Sequence, residues 1–189
     1  MKIGKSTIPE SAICGADDET IVVRGADLCK DLIGKLSFSD YFWLLVTGQR
    51  PSAIASRVLD ATLVAIAEHG LVPSVQASRM TLAAAPDAIQ GAVAAGILGC
   101  GSVILGASET AGRMFLRVDA IAKEKVTSLE AAATEVVREL RTSKQAIPGY
   151  GHPVHKARDP RVARLFEVAA EAGAPMHFVA IAEAVEKVL

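Results

Sequence analysis

Apolar residues along this chain recur mostly at intervals of three and four, the spacing of a helix face, and cluster as short extended pieces only near the N-terminus. Within residues 1–25, Ala12 to Cys14 and Ile21 to Val23 flank the turn-forming stretch Gly15 to Asp18, which predicts a small β hairpin or extended arm. Helical spacing then predicts two short helices, over 27–33 and 37–46, the second capped by Ser37 and stopped by Gly48 before Pro51. Residues 52–69 place Ile54, Val58, Leu59, Leu63, Val64 and Ile66 on one stripe, and Gly70 offers a left-handed cap. Thr127 with Glu130 three positions on predicts a capping box that opens a helix over 127–141. Asp159 and Pro160 read as the cap and first turn of a helix that Gly173 stops, and Val179, Ile181, Ala184 and Val188 mark a last helix from Pro175. The expected fold is mostly α.

Residues 86–107 are nearly free of charge and approach the length of a membrane span. Five glycines, Gly91, Gly96, Gly99, Gly101 and Gly106, dilute the run, and neither a basic cluster nor an aromatic belt flanks it. Small residues at this density let backbones approach closely, so the stretch reads as a central or subunit-interface helix and not as a membrane anchor.

Composition sharpens the picture. Apolar residues make up 51% of the chain but aromatics only 4%, so the core must be built from Ala, Val, Leu and Ile, which suits close-packed helices. A formal net charge of -1 without a long basic run leaves no electrostatic footprint for nucleic acid or an anionic membrane. Cys14, Cys29 and Cys100 are odd in number and lack metal-ligand spacing, which predicts buried thiols in a reducing compartment, with no disulfide and no structural metal. No apolar stretch follows the charged start of the chain, so a secretory signal is not expected and the protein is expected to be cytoplasmic.

The densest chemistry lies between Ile147 and Arg161, where two glycines, His152, His155 and three cations crowd between two helical patterns. Pro148, Gly149 and Gly151 keep this stretch from forming a helix and let its backbone approach a ligand. The helix start that follows presents unpaired N–H groups, and Arg161 adds a fork that can grip a carboxylate in two places, so an anionic ligand is the expected guest. His155 lies three residues after His152, but with no third ligand in sight the pair does not read as a metal site. His69, at the predicted end of its helix, is placed where the dipole favours the imidazolium form, which could donate to a ligand carboxylate or carbonyl.

Pro148-Gly149-Tyr150-Gly151-His152, followed by Asp159-Pro160-Arg161, resembles the signature of the citrate synthase superfamily, with Pro153 standing where that family often carries arginine. Arg24-Gly25 is similar to the end of the family's N-terminal arm. His69, Ser74 and Arg79 resemble its histidine, serine and arginine pattern, with Glu68 and Ile66 replacing an aspartate and a histidine. Gly101 to Glu109 aligns with a segment in which the synthases carry a catalytic histidine, and Ile104 occupies that position. Isoleucine can neither move a proton nor hydrogen-bond an enol, so synthase chemistry in its usual form is not expected. The pattern instead resembles the citryl-CoA lyase-like branch, including the lyase module of ATP-citrate lyase, whose members also lack this histidine.

The resemblance implies a multi-helical citrate synthase-like fold, with a large helical domain over 1–145 and the active-site loop and start of a small domain over 146–189. It implies a homodimer or higher homo-oligomer. It further implies that His152 and His69 are catalytic, that Arg161, Arg79 and Ser74 bind substrate, and that Ile147, Pro148, Gly149, Tyr150, Gly151 and Lys156 contact coenzyme A, which is part of the substrate or product. The last helix lacks a stop signal, and the family's aspartate base has no counterpart here, so the sequence is expected to be a fragment or a chain that has lost part of its site. The leading expectation is cleavage of citryl-CoA to acetyl-CoA and oxaloacetate. The alternatives are a synthase-type condensation of an acyl-CoA with a 2-oxo acid, and a non-catalytic CoA- or dicarboxylate-binding homologue.

Overall fold

The structure, a computed structural model, describes residues 11–68, 70–101, 105–151 and 159–189. Its chain runs through three short strands, β1 (Cys14–Ala16), β2 (Ile21–Val23) and β3 (Ala26–Asp27), and then eight helices among the described residues. These are α1 (Phe38–Thr47), α2 (Ala53–Ile66), α3 (Pro73–Ala84), α4 (Ile89–Leu98), α5 (Ala107–Glu124), α6 (Leu129–Thr142), α7 (Pro160–Glu171) and α8 (His177–Lys187). The mostly α expectation is met. No helix among the described residues is long and apolar enough to cross a membrane.

The chain divides into two compact units, residues 1–64 with 167–174, and residues 65–166 with 175–189. In the first, β1, β2 and β3 form an antiparallel sheet in that order, pairing Cys14 with Val23 and Val22 with Asp27. The predicted hairpin is present. Its turn is closed by Asp17, whose Oδ1 accepts the Glu19 and Thr20 N–H groups at 2.9 and 2.7 Å. Val23, Leu32 and Leu44 are buried together as a small core. Arg24 donates from Nε and Nη2 to the Leu45 carbonyl at 3.1 and 2.6 Å, so this arginine fastens the arm to α1. Residues 28–32 form one π-type turn, closed by the Ile33 N–H on the Leu28 carbonyl at 2.9 Å, where the periodicity predicts an α-helix. Asp27 caps that turn by accepting the Cys29 and Lys30 N–H groups.

α1 starts and stops as predicted, with the Ser37 side chain accepting the Asp40 N–H and Gly48 left-handed at φ +78°. The following helix is shorter than predicted. α2 ends at Ile66, and Gly70, although left-handed at φ +66°, lies beyond the helix and not at its cap. The Gly70 N–H is satisfied by the Glu68 carboxylate at 2.8 Å instead.

In the second unit, α5, α6 and α8 bury Met114, Val118, Ala122, Ala132, Ala133, Val136, Val137, Ile181, Ala184 and Val185 against one another. Alanine and valine supply most of this core, as the low aromatic content requires. α3 and α4 pack as a close pair, because a Cβ on Gly99 would stand 3.0 Å from the Ser74 Cα and one on Gly96 would stand 3.3 Å from the Ser78 Cβ. The glycine-rich run is thus no single long helix: α4 ends at Leu98, and of the run's glycines Gly96 and Gly99 make the contact with α3, while Gly91 and Gly101 have open space around them.

Two helices, α3 and α5, lie where periodicity marks no element. The buried residues of α5 are Ala111, Met114, Val118, Asp119 and Ala122. At α6 the cap is Ser128 and not Thr127, since the Ser128 Oγ accepts the Ala131 N–H at 3.1 Å. Glu130 therefore falls one position short of a capping box and pairs with Lys187 at 2.7 Å.

Candidate active site

The second unit carries a groove of about 740 Å³ that has the loop 145–151 on one side and α5 with the end of α6 on the other. Pro148, Gly149, Tyr150 and Gly151, four of the six residues expected at coenzyme A, line it. The loop's shape follows from its sequence. Gly149 and Gly151 hold φ of +83° and +88°, a region that side chains other than glycine's occupy only under strain. Gly149 is also pressed against α5: a Cβ there would meet the Ala111 Cβ at 3.0 Å.

Tyr150 and Ile147 anchor the loop from beneath by packing on the α5–α6–α8 core. The Tyr150 hydroxyl donates to the Ala182 carbonyl on α8 at 2.6 Å, and its ring meets Phe115 edge to face at 6.4 Å. Burial, with a smaller contribution from Glu186, pushes the phenol well above its usual pKa, so it stays a hydrogen-bond donor at every physiological pH. With the side chains of Ile147 and Tyr150 turned into the core, the loop can offer a ligand its backbone.

Arg161 opens α7 beside its own cap. Asp159 Oδ1 accepts the Arg161 N–H at 2.9 Å, and the same carboxylate takes the guanidinium through Nε at 3.0 Å and Nη2 at 2.6 Å. This pairing holds the guanidinium pKa above its usual value, and Asp159 is the ion-pair partner of Arg161 as well as the cap. Arg161 Nη1 also reaches the Ala65 carbonyl at 3.4 Å, which brings the start of α7 to the last turn of α2, four residues before His69.

Ser74 and Arg79 are not part of the loop groove. They line a smaller cavity of about 300 Å³ along α3 and α4, beside Ser78 and Cys100, and Ser74 is buried. His69, His152 and Lys156 lie outside the described residues. Among the described residues no cluster of His, Cys, Asp and Glu could hold a metal ion.

The groove also has polar residues that the sequence reading passes over: Thr110, Arg113, Arg117 and Gln145. Thr110, Arg113 and Arg117 follow one another at steps of three and four along α5, a spacing visible in the sequence once 107–124 is recognised as a helix. Arg113 pairs with Glu109 at 2.8 Å, and Arg117 pairs with Glu139 of α6.

Comparison with known proteins gives the arrangement its context. Residues 20–189 match the family profile described as citrate synthase, C-terminal domain. A citrate synthase from Synechocystis sp. is 31% identical over 160 residues, covering 82% of this chain and 38% of its own length. The chain thus spans less than two-fifths of the curated relatives it matches. The structure of citryl-CoA lyase from Hydrogenobacter thermophilus aligns with a TM-score of 0.79 at 32% identity, over 95% of this chain and 66% of that one. ATP citrate lyase from Methanothrix soehngenii, solved in complex with citrate and coenzyme A, aligns with a TM-score of 0.77 at 25% identity, over 98% of this chain and 29% of that one. A profile match over residues 20–189, joined to this helical architecture, means that the chain belongs to the citrate synthase superfamily.

Proposed function

We propose that this chain is the citryl-CoA lyase-like part of a carbon–carbon lyase that cleaves citryl-CoA to acetyl-CoA and oxaloacetate. The observation that carries the reading is the likeness to citryl-CoA lyase over 95% of the chain at 32% identity. Ile104 supports it as a point of resemblance, because it stands where the synthases carry a catalytic histidine that the citryl-CoA lyase-like branch also lacks. The loop Ile147 to Gly151, with His152 next in the chain, supplies the coenzyme A side of the reading.

In the cleavage, the tertiary hydroxyl of citryl-CoA loses its proton as its oxygen becomes a carbonyl. The carbon–carbon bond breaks and its electron pair passes to the acetyl thioester as an enolate, which a proton then quenches at the methyl carbon. His152 is proposed at the hydroxyl oxygen and Arg161, held by Asp159, on a carboxylate of the oxaloacetate portion. His69 is proposed on a carboxylate or near the enol, and Ser74 and Arg79 on substrate. Lys156 is proposed at the phosphates of coenzyme A, with residues 1–145 as the large domain and 146–189 as the start of the small one. A homodimer accompanies the reading, supported by Ile89, Val93 and Ile97, which recur every four residues on α4 and are 66%, 55% and 67% exposed.

A second reading, condensation of an acyl-CoA with a 2-oxo acid, is favoured by the 31% identity to the Synechocystis citrate synthase. One pair of assays separates the two. Oxaloacetate release from citryl-CoA without thiol release from acetyl-CoA plus oxaloacetate supports the lyase. Thiol release decides for condensation, and coenzyme A binding without either activity leaves a binding homologue.

A further inference from the structure

We propose that Arg113 and Arg117 form a subsite for the 3′-phosphate of coenzyme A, at the outer edge of the loop groove. The inference rests on the coenzyme A reading above and adds to it the residues that distinguish the phosphorylated nucleotide from its dephosphorylated form.

Four features of the groove carry it. Its floor is apolar, with Met114 and Val136 of the buried core reaching its surface, while its edge has Thr110, Arg113, Arg117 and Gln145. A flat apolar body with an anionic end, as in a nucleotide, matches that division. Second, the only charged side chains lining the groove among the described residues are the two arginines. Their carboxylate partners, Glu109 and Glu139, do not line it.

Third, the arginines stand four positions apart on α5, roughly 6 Å between Cβ atoms, so two planar forks can close on one phosphate from the same helix face. A phosphate monoester suits them better than a pyrophosphate diester, because it offers three terminal oxygens and close to two negative charges. Fourth, the ion pairs they now make are exposed. The Arg113 and Glu109 side chains are 76% and 69% exposed, and such pairs contribute so little that a dianion can displace them.

The test is calorimetric titration of the 189-residue chain with coenzyme A and with 3′-dephospho-coenzyme A, for wild type, Arg113→Gln, Arg117→Gln and the double variant. Wild type should prefer coenzyme A by about ten-fold or more, from charge-assisted hydrogen bonds to the phosphate. Each single variant should narrow that preference. The double variant should bring the two ligands within about two-fold of each other while binding the dephosphorylated ligand as wild type does. Glu109→Gln, which leaves α5 and both arginines in place, should widen the preference by removing a competing carboxylate. Equal wild-type affinity for the two ligands, or a double variant that retains the preference, overturns the subsite and leaves the coenzyme A reading standing. Failure of wild type to bind either ligand overturns both.

Discussion

His177 Nε2 donates to Asp119 Oδ1 at 2.7 Å, and this bond ties the first residue of α8 to a carboxylate that α5 buries. Lys123, one turn further along α5, holds the other carboxylate oxygen at 2.7 Å. Lys123 first and His177 second keep the Asp119 carboxyl below its usual pKa. A group whose folded pKa is depressed adds stability above its unfolded value, and that stability is lost as pH falls through the folded value. The contribution should thus be complete above about pH 4 and vanish in more acidic solution. Asp119→Asn should lower the melting temperature at pH 7 and shrink the difference from wild type as the pH drops below 4; a difference independent of pH would contradict this account.

Tyr150 is the loop's fastening to α8. Tyr150→Phe keeps the ring contact with Phe115 but removes the hydroxyl's bond to the Ala182 carbonyl, which should cost about 1 kcal/mol. Urea unfolding at neutral pH measures the loss. Because the loop's backbone lines the groove, ligand affinity should fall in the same variant.

Gly149→Ala meets two obstacles, a φ of +83° and the Ala111 Cβ at 3.0 Å. The backbone strain alone should cost about 1–3 kcal/mol. Gly173, where φ is +77° with open space around the position, should suffer from the strain alone, so Gly173→Ala is the milder change. Equal losses in the two variants would show that the loop does not press on α5.

The cap of α6 gives a sharp contrast between neighbours. Ser128→Ala should destabilise by about 0.5–2 kcal/mol, whereas Thr127→Ala should have little effect. Thermal unfolding of the two variants separates the observed cap from the capping box that the sequence suggests.

The proposed dimer predicts a sedimenting mass of about twice 19.7 kDa. Val93→Glu with Ile97→Glu places two charges on the exposed stripe of α4 and should leave a monomer with the same helix content. A wild-type monomer at micromolar concentration would remove the dimer from the reading.

The sequence by itself determined features that depend on residues near one another in the chain. Helical periodicity marked α1, α2, α6, α7 and α8. Ser37, Gly48, Asp159 and Gly173 marked helix ends, because a cap is a bond or a dihedral within four residues. The glycines and proline of 147–151 marked a loop for the same reason, and their order with His152 and Arg161 carried the family. Tertiary structure decided the rest. α5 was not marked, and the residues that bury its Met114, Val118 and Ala122 belong to α6 and α8. Only the folded chain sets Arg113 and Arg117 across a groove from Gly149 and Gly151, more than thirty residues away, and assigns Asp119 to His177 and Tyr150 to Ala182. Such pairings depend on which helix faces meet, and local spacing contains no record of that.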